Sequence, residues 1–343
     1  MRNAVFAIAL IACTTSAVGQ QRSVLFYWEN DSLGSPLGRA TDDDYTNGLR
    51  LVIGTTQQPR WEQTIRALCE RFESGCSLLA SNSAYGFTHQ FYTPRRIVSP
   101  RPQPLDRPWA GYMYVTAHLQ LSDEDHQHSL EGQLGILGQG AGAQYVQSKW
   151  HQLIGSPADP KGWPNQLKNE PVVNVLYGYS RRFHADRLPY ADAIVTPGFA
   201  LGTLVTYPSL GGTLRVGWHP TGFPAQILPQ AAPMSLKTPR LPNGLLEARQ
   251  EPSRPRTELY AQAGADIRYV LHDSTLDGGF FRNGPSVDRT PLVHDFRLGF
   301  SGRLDSFRIT YNYVMRGKEF TPPPGRDGKH NYHSLSLGWE PAR

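Results

Sequence analysis

Residues 307–315 read FRITYNYVM, and this stretch decides the fold class. One face carries Phe307, Ile309, Tyr311, Tyr313 and Met315, and the opposite face carries Arg308, Thr310 and Asn312. Alternation with a period of two is typical of a β-strand that has one apolar face and one polar face. The segment near residue 258 repeats the pattern, with Glu258, Asp266 and Arg268 among its polar residues.

About twelve such segments follow one another, beginning near residues 23, 47, 84, 111, 128, 171, 192, 209, 257, 292, 306 and 332. Each spans about eight to fourteen residues, which is enough for a tilted strand to cross a bilayer. An even number of strands is typical of a single-chain bacterial barrel. A soluble β-sandwich would alternate as well, so alternation alone leaves both architectures open.

Aromatic residues toward the strand ends favour the membrane barrel, because such barrels carry aromatic girdles at both membrane interfaces. The residues in question are Tyr112, Tyr114, Tyr177, Tyr179 and Trp218. These patterns predict an all-β chain and leave two architectures open: a transmembrane antiparallel β-barrel of about twelve strands, with short helices in its loops, or a soluble β-sandwich.

The N-terminus has the parts of a secretory signal peptide: a positive charge at Arg2, an apolar run over residues 4–12 and small residues at Ala17 and Gly19. This order predicts export and cleavage near Gly19, which leaves residues 20–343 as a single barrel domain. A lipoprotein box with Cys13 lipidated is the alternative. No later stretch approaches the apolar length of a membrane helix.

Net charge and cysteine content are weaker indications of function than the strand pattern. The formal net charge of +5 and the pI of about 9.1 suit a protein that meets an anionic surface. Composition and motifs point to no nucleic-acid partner, and we expect a monomer. Cys69 and Cys76 are close enough to form a local disulfide in an exported protein, and two free thiols remain the alternative.

The connections with unusual chemistry fall on one side of the predicted sheet. If the N-terminus is periplasmic, the extracellular connections include residues 31–46, 93–110 and 138–170. Two long connections, 56–83 and 219–256, lie on the opposite side against the usual preference for short periplasmic turns. Residues 61–72 carry a helical pattern there, whereas the proline-rich second connection predicts an irregular loop.

Two oxygen-rich segments meet across the first hairpin. Glu29-Asn30-Asp31 ends the first strand, and residues 41–48, TDDDYTNG, precede or begin the second. Carboxylate, amide and carbonyl oxygens are ligands for hard cations such as calcium. A solvated acidic loop is the alternative interpretation.

A second candidate segment is helical. Residues 141–154 have helical character with a stop at Gly155, and Gln147 and His151 lie four residues apart on one helix face. A histidine can act as a general base near neutral pH when a second polar group orients it. An exposed or structural histidine is the alternative.

Arginines and prolines alternate between the third and fourth strands, at Arg95, Arg96, Arg101 and Arg107. Arginine binds phosphate through a planar fork of donors, so a substrate contact is one interpretation and a solubilising loop is the other. The chain has neither a G-x-S-x-G elbow nor an H-E-x-x-H pair, which argues against a serine hydrolase and a zinc protease.

Five motifs occur together in order over residues 27–177: W-E-N-D, T-D-D-D-Y-T-N-G-L, D-R-P-W-A-G-Y-M-Y, the Q-x-x-x-H helix and G-W-P-N-Q-L-x-N-E-P. In combination they resemble the lipid A 3′-O-deacylase family of outer-membrane proteins. The resemblance implies a twelve-stranded barrel in the bacterial outer membrane. It also implies calcium-dependent hydrolysis of the ester at the 3′ position of lipid A.

The resemblance also implies residue roles. Asn30, Asp31 and Thr46 match positions at the cation site, His151 matches the catalytic histidine, and Gln147 matches a polar residue beside it. Arg95 or Arg96 matches the basic residues that contact the lipid head group. The chain departs from the family pattern at Trp109, Gln139 and Pro157, the last of which stands where some members have a glutamate lining the site.

The function predicted from the sequence is therefore a calcium-dependent lipid A 3′-O-deacylase that uses His151 as a general base toward water. One alternative is a non-enzymatic pore or lipopolysaccharide-binding barrel whose acidic rim holds bridging cations. The other is an outer-membrane phospholipase. All three share the fold, so only the loops discriminate between them.

Overall fold

The computed structural model describes residues 23–31, 43–55, 58–72, 75–76, 79–184, 190–218, 220, 222–223 and 257–340. Three sequence predictions therefore lie outside the described residues. These are the signal peptide over residues 1–19, the start of the acidic run at Thr41 and Asp42, and nearly all of the proline-rich connection 219–256.

Thirteen antiparallel strands are present in the described residues, and twelve of them close into a barrel. In chain order they are Val24–Asn30 (β1), Asp44–Gly54 (β2), Ala80–Thr93 (β3), Ala110–Ser122 (β4), His126–Leu137 (β5), Glu170–His184 (β6), Ala191–Gly202 (β7), Val205–Trp218 (β8), Thr257–Tyr269 (β9), His272–Asp273 (β10), Leu292–Leu304 (β11), Phe307–Arg316 (β12) and His330–Trp339 (β13). Pairing of β8 with β9 and of β1 with β13 closes the ring, and the two-residue β10 pairs separately with β8.

The predicted barrel is confirmed, and each long strand begins within four residues of its predicted start. The extra strand β10 is the one addition. It belongs to the connection between β9 and β11, where two residues are too few for a periodic pattern to be visible in the sequence.

Burial along the strands is inverted relative to a soluble sandwich. In β12 the exposed residues include Phe307 and Ile309, whereas Arg308, Thr310 and Asn312 are buried. The apolar face of each strand thus lies on the outside of the barrel, and the polar face lines the lumen. A soluble sandwich packs its apolar faces together, so this arrangement excludes it and identifies a membrane barrel.

Charged pairs fill the lumen. Arg50 contacts Glu131 at 2.9 Å, Arg215 contacts Asp192 at 2.6 Å, and all four side chains are at least 95% buried. Arg268 and Arg316 both contact Asp295, at 3.0 and 2.8 Å. Buried charges require such partners because desolvation penalises an isolated ion heavily.

The girdle interpretation is wrong for Tyr112 and Tyr114. Both side chains face the lumen with no more than 3% of their surface exposed, and their rings stack at 6.0 Å. Their neighbours in β4 decide this, since Val115 is exposed and alternation then places the even-numbered residues inside. Trp218, which is 57% exposed, lies on the outer surface as predicted.

In the described parts of the connections there are three α-helices: Arg60–Phe72 (α1), Ala143–Ile154 (α2) and Ser274–Asp277 (α3). The helical patterns predicted over 61–72 and 141–154 are both confirmed, and Gly155 ends α2 with a left-handed φ of 70°. Cys69 and Cys76 form a disulfide beside α1.

Within the described residues, none of the helices is long and apolar enough to cross a membrane.

The two ends of the barrel differ. Helix α1 lies at the end where β1 begins, called here the Val24 end, and α2 lies at the opposite or Asn30 end. At the Asn30 end, buried Arg107 donates to Glu319 Oε2 at 2.7 Å and to Thr275 Oγ1 at 3.2 Å, which ties three connections together. Burial favours the neutral form of Glu319, but Arg107 and Arg316 outweigh it and hold its pKa at about 2.

The inverted burial predicts how a charge on the outer wall affects stability. Val115, near the middle of β4, is 54% exposed, and we expect Val115→Arg to lower the free energy of unfolding in lipid vesicles by about 2–4 kcal/mol. Guanidinium unfolding followed by tryptophan fluorescence measures the change, with Val115→Leu as the control. Equal stability of the two variants would contradict a lipid-facing position.

Candidate functional site

The outer wall near the Asn30 end carries polar side chains. In β1, Glu29 points into the lumen and accepts a hydrogen bond from the Tyr45 hydroxyl at 2.8 Å. Because successive side chains of a strand alternate, Trp28 and Asn30 lie on the outer wall. Asn30 is paired with Asn47 of β2, and the Trp28 indole donates to the Asn47 side-chain oxygen at 3.1 Å.

Helix α2 packs against this outer wall. Ala143 lies against Gly111 of β4, where an added Cβ would come within 2.4 Å of the Ala143 Cβ, so only glycine allows the close approach. Farther along the helix, the Trp150 ring meets Trp28 edge-on at a centroid distance of 5.8 Å. The contact brings α2 to the strand that ends in Asn30.

Aromatic side chains hold the connection that follows α2. Trp163 is fully buried, and its ring lies 6.0 Å from Phe91 of β3 and 4.8 Å from Trp109. Gly162 permits this stack, since a Cβ there would come within 2.5 Å of the Trp109 ring. Trp109, one of the departures from the family pattern, thus contributes to the packing of the connection that follows α2.

The three residues predicted at a cation site come together at the end of the first hairpin. Asn30 Nδ2 donates to the Thr46 carbonyl at 2.9 Å, and the Asp31 backbone N–H reaches the same carbonyl at 3.4 Å. The strand register shifts at Thr46, where its hydroxyl meets the Thr93 hydroxyl at 2.7 Å. A bulge at this place re-aims the Thr46 side chain, and pairing with β3 continues beyond it at Tyr45 and Asp44.

The oxygen set fits a hard cation. Asn30 uses its amide nitrogen toward Thr46, which directs the amide oxygen to the opposite side, and Asp31 adds a carboxylate that is 7% exposed. One Asp31 oxygen, Oδ2, accepts the backbone N–H of Asp43 at 3.0 Å. Carboxylate, amide and backbone carbonyl oxygens are the ligands that calcium prefers, so Asn30 and Asp31, with Thr46 beside them, are the residues that would hold it.

The other described aspartates of the acidic run, Asp43 and Asp44, have a protein partner. Arg326, in the connection between β12 and β13, contacts Asp43 at 3.1 Å, Asp106 at 2.5 Å and also Asp44. Burial raises the pKa of Asp43, and the positive charges of Arg326 and Arg95 oppose that shift. No pattern in the sequence indicates this cluster, because Arg326 is 282 residues from Asp44.

His151 and Gln147 lie on the face of α2 that meets the wall, with 5% and 1% of their surface exposed. His151 Nδ1 donates to the Ala158 carbonyl at 2.5 Å. A proton at Nδ1 leaves Nε2 as the nitrogen that can accept a proton, and this tautomer is inferred from the hydrogen bond. The orienting group is therefore a backbone carbonyl of the following connection, beside Pro157.

Trp163 also fixes the orientation of Gln147. Its indole Nε1 donates to Gln147 Oε1 at 2.8 Å, so the amide nitrogen Nε2 turns the other way. That nitrogen is buried and makes no hydrogen bond within the described residues. The sequence contained a signal for Trp163, in the G-W-P-N-Q-L motif, but spacing alone does not identify its partner.

The arginines of the β3–β4 connection divide into two groups. Arg95 and Arg96 are exposed. The positive charge of Arg95 lies near enough to Asp43 to oppose the rise in the pKa of that carboxyl. Arg107 is buried in the network described above and has a structural role instead.

Glu170, the first residue of β6, is a carboxylate at the same end of the barrel that could act as a base in place of His151. Its two oxygens accept backbone N–H groups from Phe280, Phe281 and Arg282 at 2.7, 3.1 and 2.6 Å. Three donors on one carboxylate indicate that Glu170 anchors the loop of residues 280–282 and does not act as a general base.

Comparison with known proteins places the chain. A family model described as "Outer membrane protein LpxR" matches residues 4–340. Among solved structures, LpxR from Salmonella typhimurium is similar with a TM-score of 0.67 at 18% identity, covering 93% of this chain and 99% of that chain. The translocator domain of autotransporter NalP from Neisseria meningitidis has a TM-score of 0.39 at 8% identity, covering 98% of this chain and 95% of that chain. No curated protein matches in sequence.

At 18% identity the Salmonella structure bears on the fold alone, and it has the same kind of barrel. The family model is the stronger finding, because its match runs through nearly the whole chain, including the hairpin of Asn30 and Asp31 and the helix of His151. On that match, the chain belongs to the LpxR family of outer-membrane proteins.

Proposed function

We propose that this protein is a lipid A 3′-O-deacylase, which hydrolyses an acyl ester at the 3′ position of lipid A in the outer leaflet. One observation carries the proposal. A buried histidine with a fixed Nδ1, His151, lies on a helix that packs against the outer wall beside the oxygen-rich end of β1. Family membership supports an enzyme that modifies lipid A.

In the proposed mechanism His151 Nε2 takes a proton from water, and the water oxygen attacks the ester carbonyl. The Ala158 carbonyl keeps the Nδ1 proton in place, so the base stays oriented while Nε2 becomes charged. A calcium ion bound by Asn30, Asp31 and Thr46 would supply positive charge for the oxyanion. The imidazolium then returns the proton to the leaving sugar oxygen.

Arg95 and Arg96 are proposed to contact the phosphorylated head group. Both are exposed at the Asn30 end, and arginine binds phosphate through paired donors.

The position of the site favours a lipid substrate. Asn30, Trp28 and the helix that covers them lie on the outside of the barrel, where lipids are the neighbours. The pore alternative has less support, because arginine–carboxylate pairs such as Arg50–Glu131 and Arg215–Asp192 occupy the lumen. Mass spectrometry of lipid A distinguishes the phospholipase alternative, because only a lipid A deacylase removes an acyl chain from lipid A.

The histidine assignment predicts a large loss of rate. His151→Asn keeps a polar side chain but removes the base, so turnover should fall by roughly 10² to 10⁴ while the barrel still folds. Mass profiles of lipid A from cells that express each variant measure this. His184→Asn is the matched control, because His184 is exposed at the Val24 end and pairs with Asp125. Wild-type deacylation by the His151 variant would refute the assignment.

The cation assignment predicts metal dependence. Excess chelator should abolish deacylation and added calcium should restore it, and Asp31→Ala should weaken calcium binding by at least about tenfold. Isothermal titration calorimetry of the purified barrel measures the binding. Asp125→Ala, which removes an exposed carboxylate at the other end, should bind calcium normally. Full activity in excess chelator would remove the metal from the mechanism.

The Trp163 hydrogen bond predicts a smaller effect that operates through Gln147. Trp163→Phe keeps the ring packing but removes the indole donor, so we expect kcat to fall about three- to tenfold with KM nearly unchanged. In a Gln147→Met background the same change should have no further effect. Trp61→Phe, which loses an indole bond to Tyr85 at the Val24 end, is the control. Additive losses in the double variant would show that Trp163 acts independently of Gln147.

A further inference from the structure

Helix α2 has an unusual distribution of side chains. The face that meets the barrel wall carries Ala143, Gln147 and His151, two of which are polar. A helix on a soluble protein buries an apolar stripe and exposes polar residues. In α2 several large apolar side chains are exposed instead, and their arrangement is not random.

Two distinct edges flank the buried face. Residues of an α-helix follow one another at 3.6 per turn, which places Trp150 and Leu153 on one apolar edge. At the end of the helix they are joined by Ile154, which follows Trp150 by four residues and lies past the buried face. Their exposed fractions are 40%, 61% and 55%. The opposite edge carries Gln144, Ser148 and Gln152, and Tyr145 and Lys149 lie between the two edges, the Lys149 ammonium 5.9 Å from the Tyr145 ring.

Contacts with the wall show where the apolar edge points. Trp150 meets Trp28. Trp28 lies two residues before Asn30 on the same face of β1, nearer the middle of the strand. Below that level the outer wall exposes Phe87 and Val115, which are paired with each other and are 47% and 54% exposed. The apolar edge is therefore continuous with the lipid-facing surface of the barrel.

We propose that α2 lies in the outer leaflet as an interfacial helix, with Trp150, Leu153 and Ile154 among the acyl chains and the polar edge toward water. Such helices combine an apolar side with a polar one and place lysine and aromatic residues at the boundary. A further step, which rests on the proposed function, is that this edge contacts the acyl chain of the substrate as its ester approaches His151.

The immersion is tested by spin labelling, which requires no catalysis. Single cysteines at Leu153 and Ile154 on the apolar edge, at Gln144 and Gln152 on the polar edge, and at Val115 on the wall are labelled with a nitroxide in lipid vesicles. Cys69 and Cys76 are held in a disulfide, and Cys13 lies in the predicted signal peptide. Collision with oxygen reports lipid, and collision with a water-soluble nickel chelate reports water.

We expect positions 153 and 154 to resemble position 115, with high oxygen and low nickel accessibility, and positions 144 and 152 to show the reverse. Nickel accessibility at 153 and 154 equal to that at 152 would overturn the proposal. Protection of 153 and 154 from both reagents would also overturn it, since a protein surface such as a second copy of the chain would then cover the edge.

The acyl contact is tested by kinetics on vesicles that contain lipid A. Leu153→Ser with Ile154→Ser should raise KM by about tenfold or more and leave kcat close to normal, because substrate binding loses apolar contact. Gln144→Ser is the matched control on the polar edge. An unchanged KM in the double variant would exclude the acyl contact. Absence of deacylation by the unmodified protein would instead overturn the proposed function and leave the labelling result intact.

Discussion

Closure of the sheet is the constraint on which the rest of the structure depends. Backbone N–H and C=O groups inside a bilayer have no water to bond, so every strand must have a neighbour on both sides. Pairing of β1 with β13 and of β8 with β9 supplies the last two ladders. A closed sheet has an inside and an outside, and the period of two then assigns apolar side chains to lipid and polar ones to the lumen.

Buried polar groups are accommodated differently in the lumen and at the candidate site. Inside the barrel, carboxylates such as Glu131 and Asp295 face arginines from other strands, and these pairs satisfy one another. On the outer wall, Asn30 would face hydrocarbon without a cover, and so would the face of α2 that carries His151 if the helix did not pack against the wall. Helix α2 provides that cover, and the close contact of Ala143 with Gly111 lets it lie near enough to exclude lipid from the polar face.

The sequence predicted what local periodicity and spacing encode. Strand positions, the stop of α2 at Gly155 and the shared helix face of Gln147 and His151 all follow from patterns of two or of 3.6 residues. The direction in which Tyr112 and Tyr114 point was missed, because an aromatic residue is compatible with either face and only the neighbouring strands decide. The Arg326 cluster and the bond from Trp163 to Gln147 join distant segments, for which a single sequence carries no periodic signal.

A site on the outer wall also has an energetic advantage for a lipid substrate. Moving one methylene group from hydrocarbon to water costs about 0.8 kcal/mol, so drawing ten of them into a polar lumen would cost about 8 kcal/mol. The proposed ester hydrolysis at the wall would avoid this cost, because the acyl chain would stay among its neighbours while only the ester reached His151. The lumen then holds the charged pairs, and the proposed site residues of α2 and β1 lie on the lipid side of the barrel, where Trp150 meets Trp28.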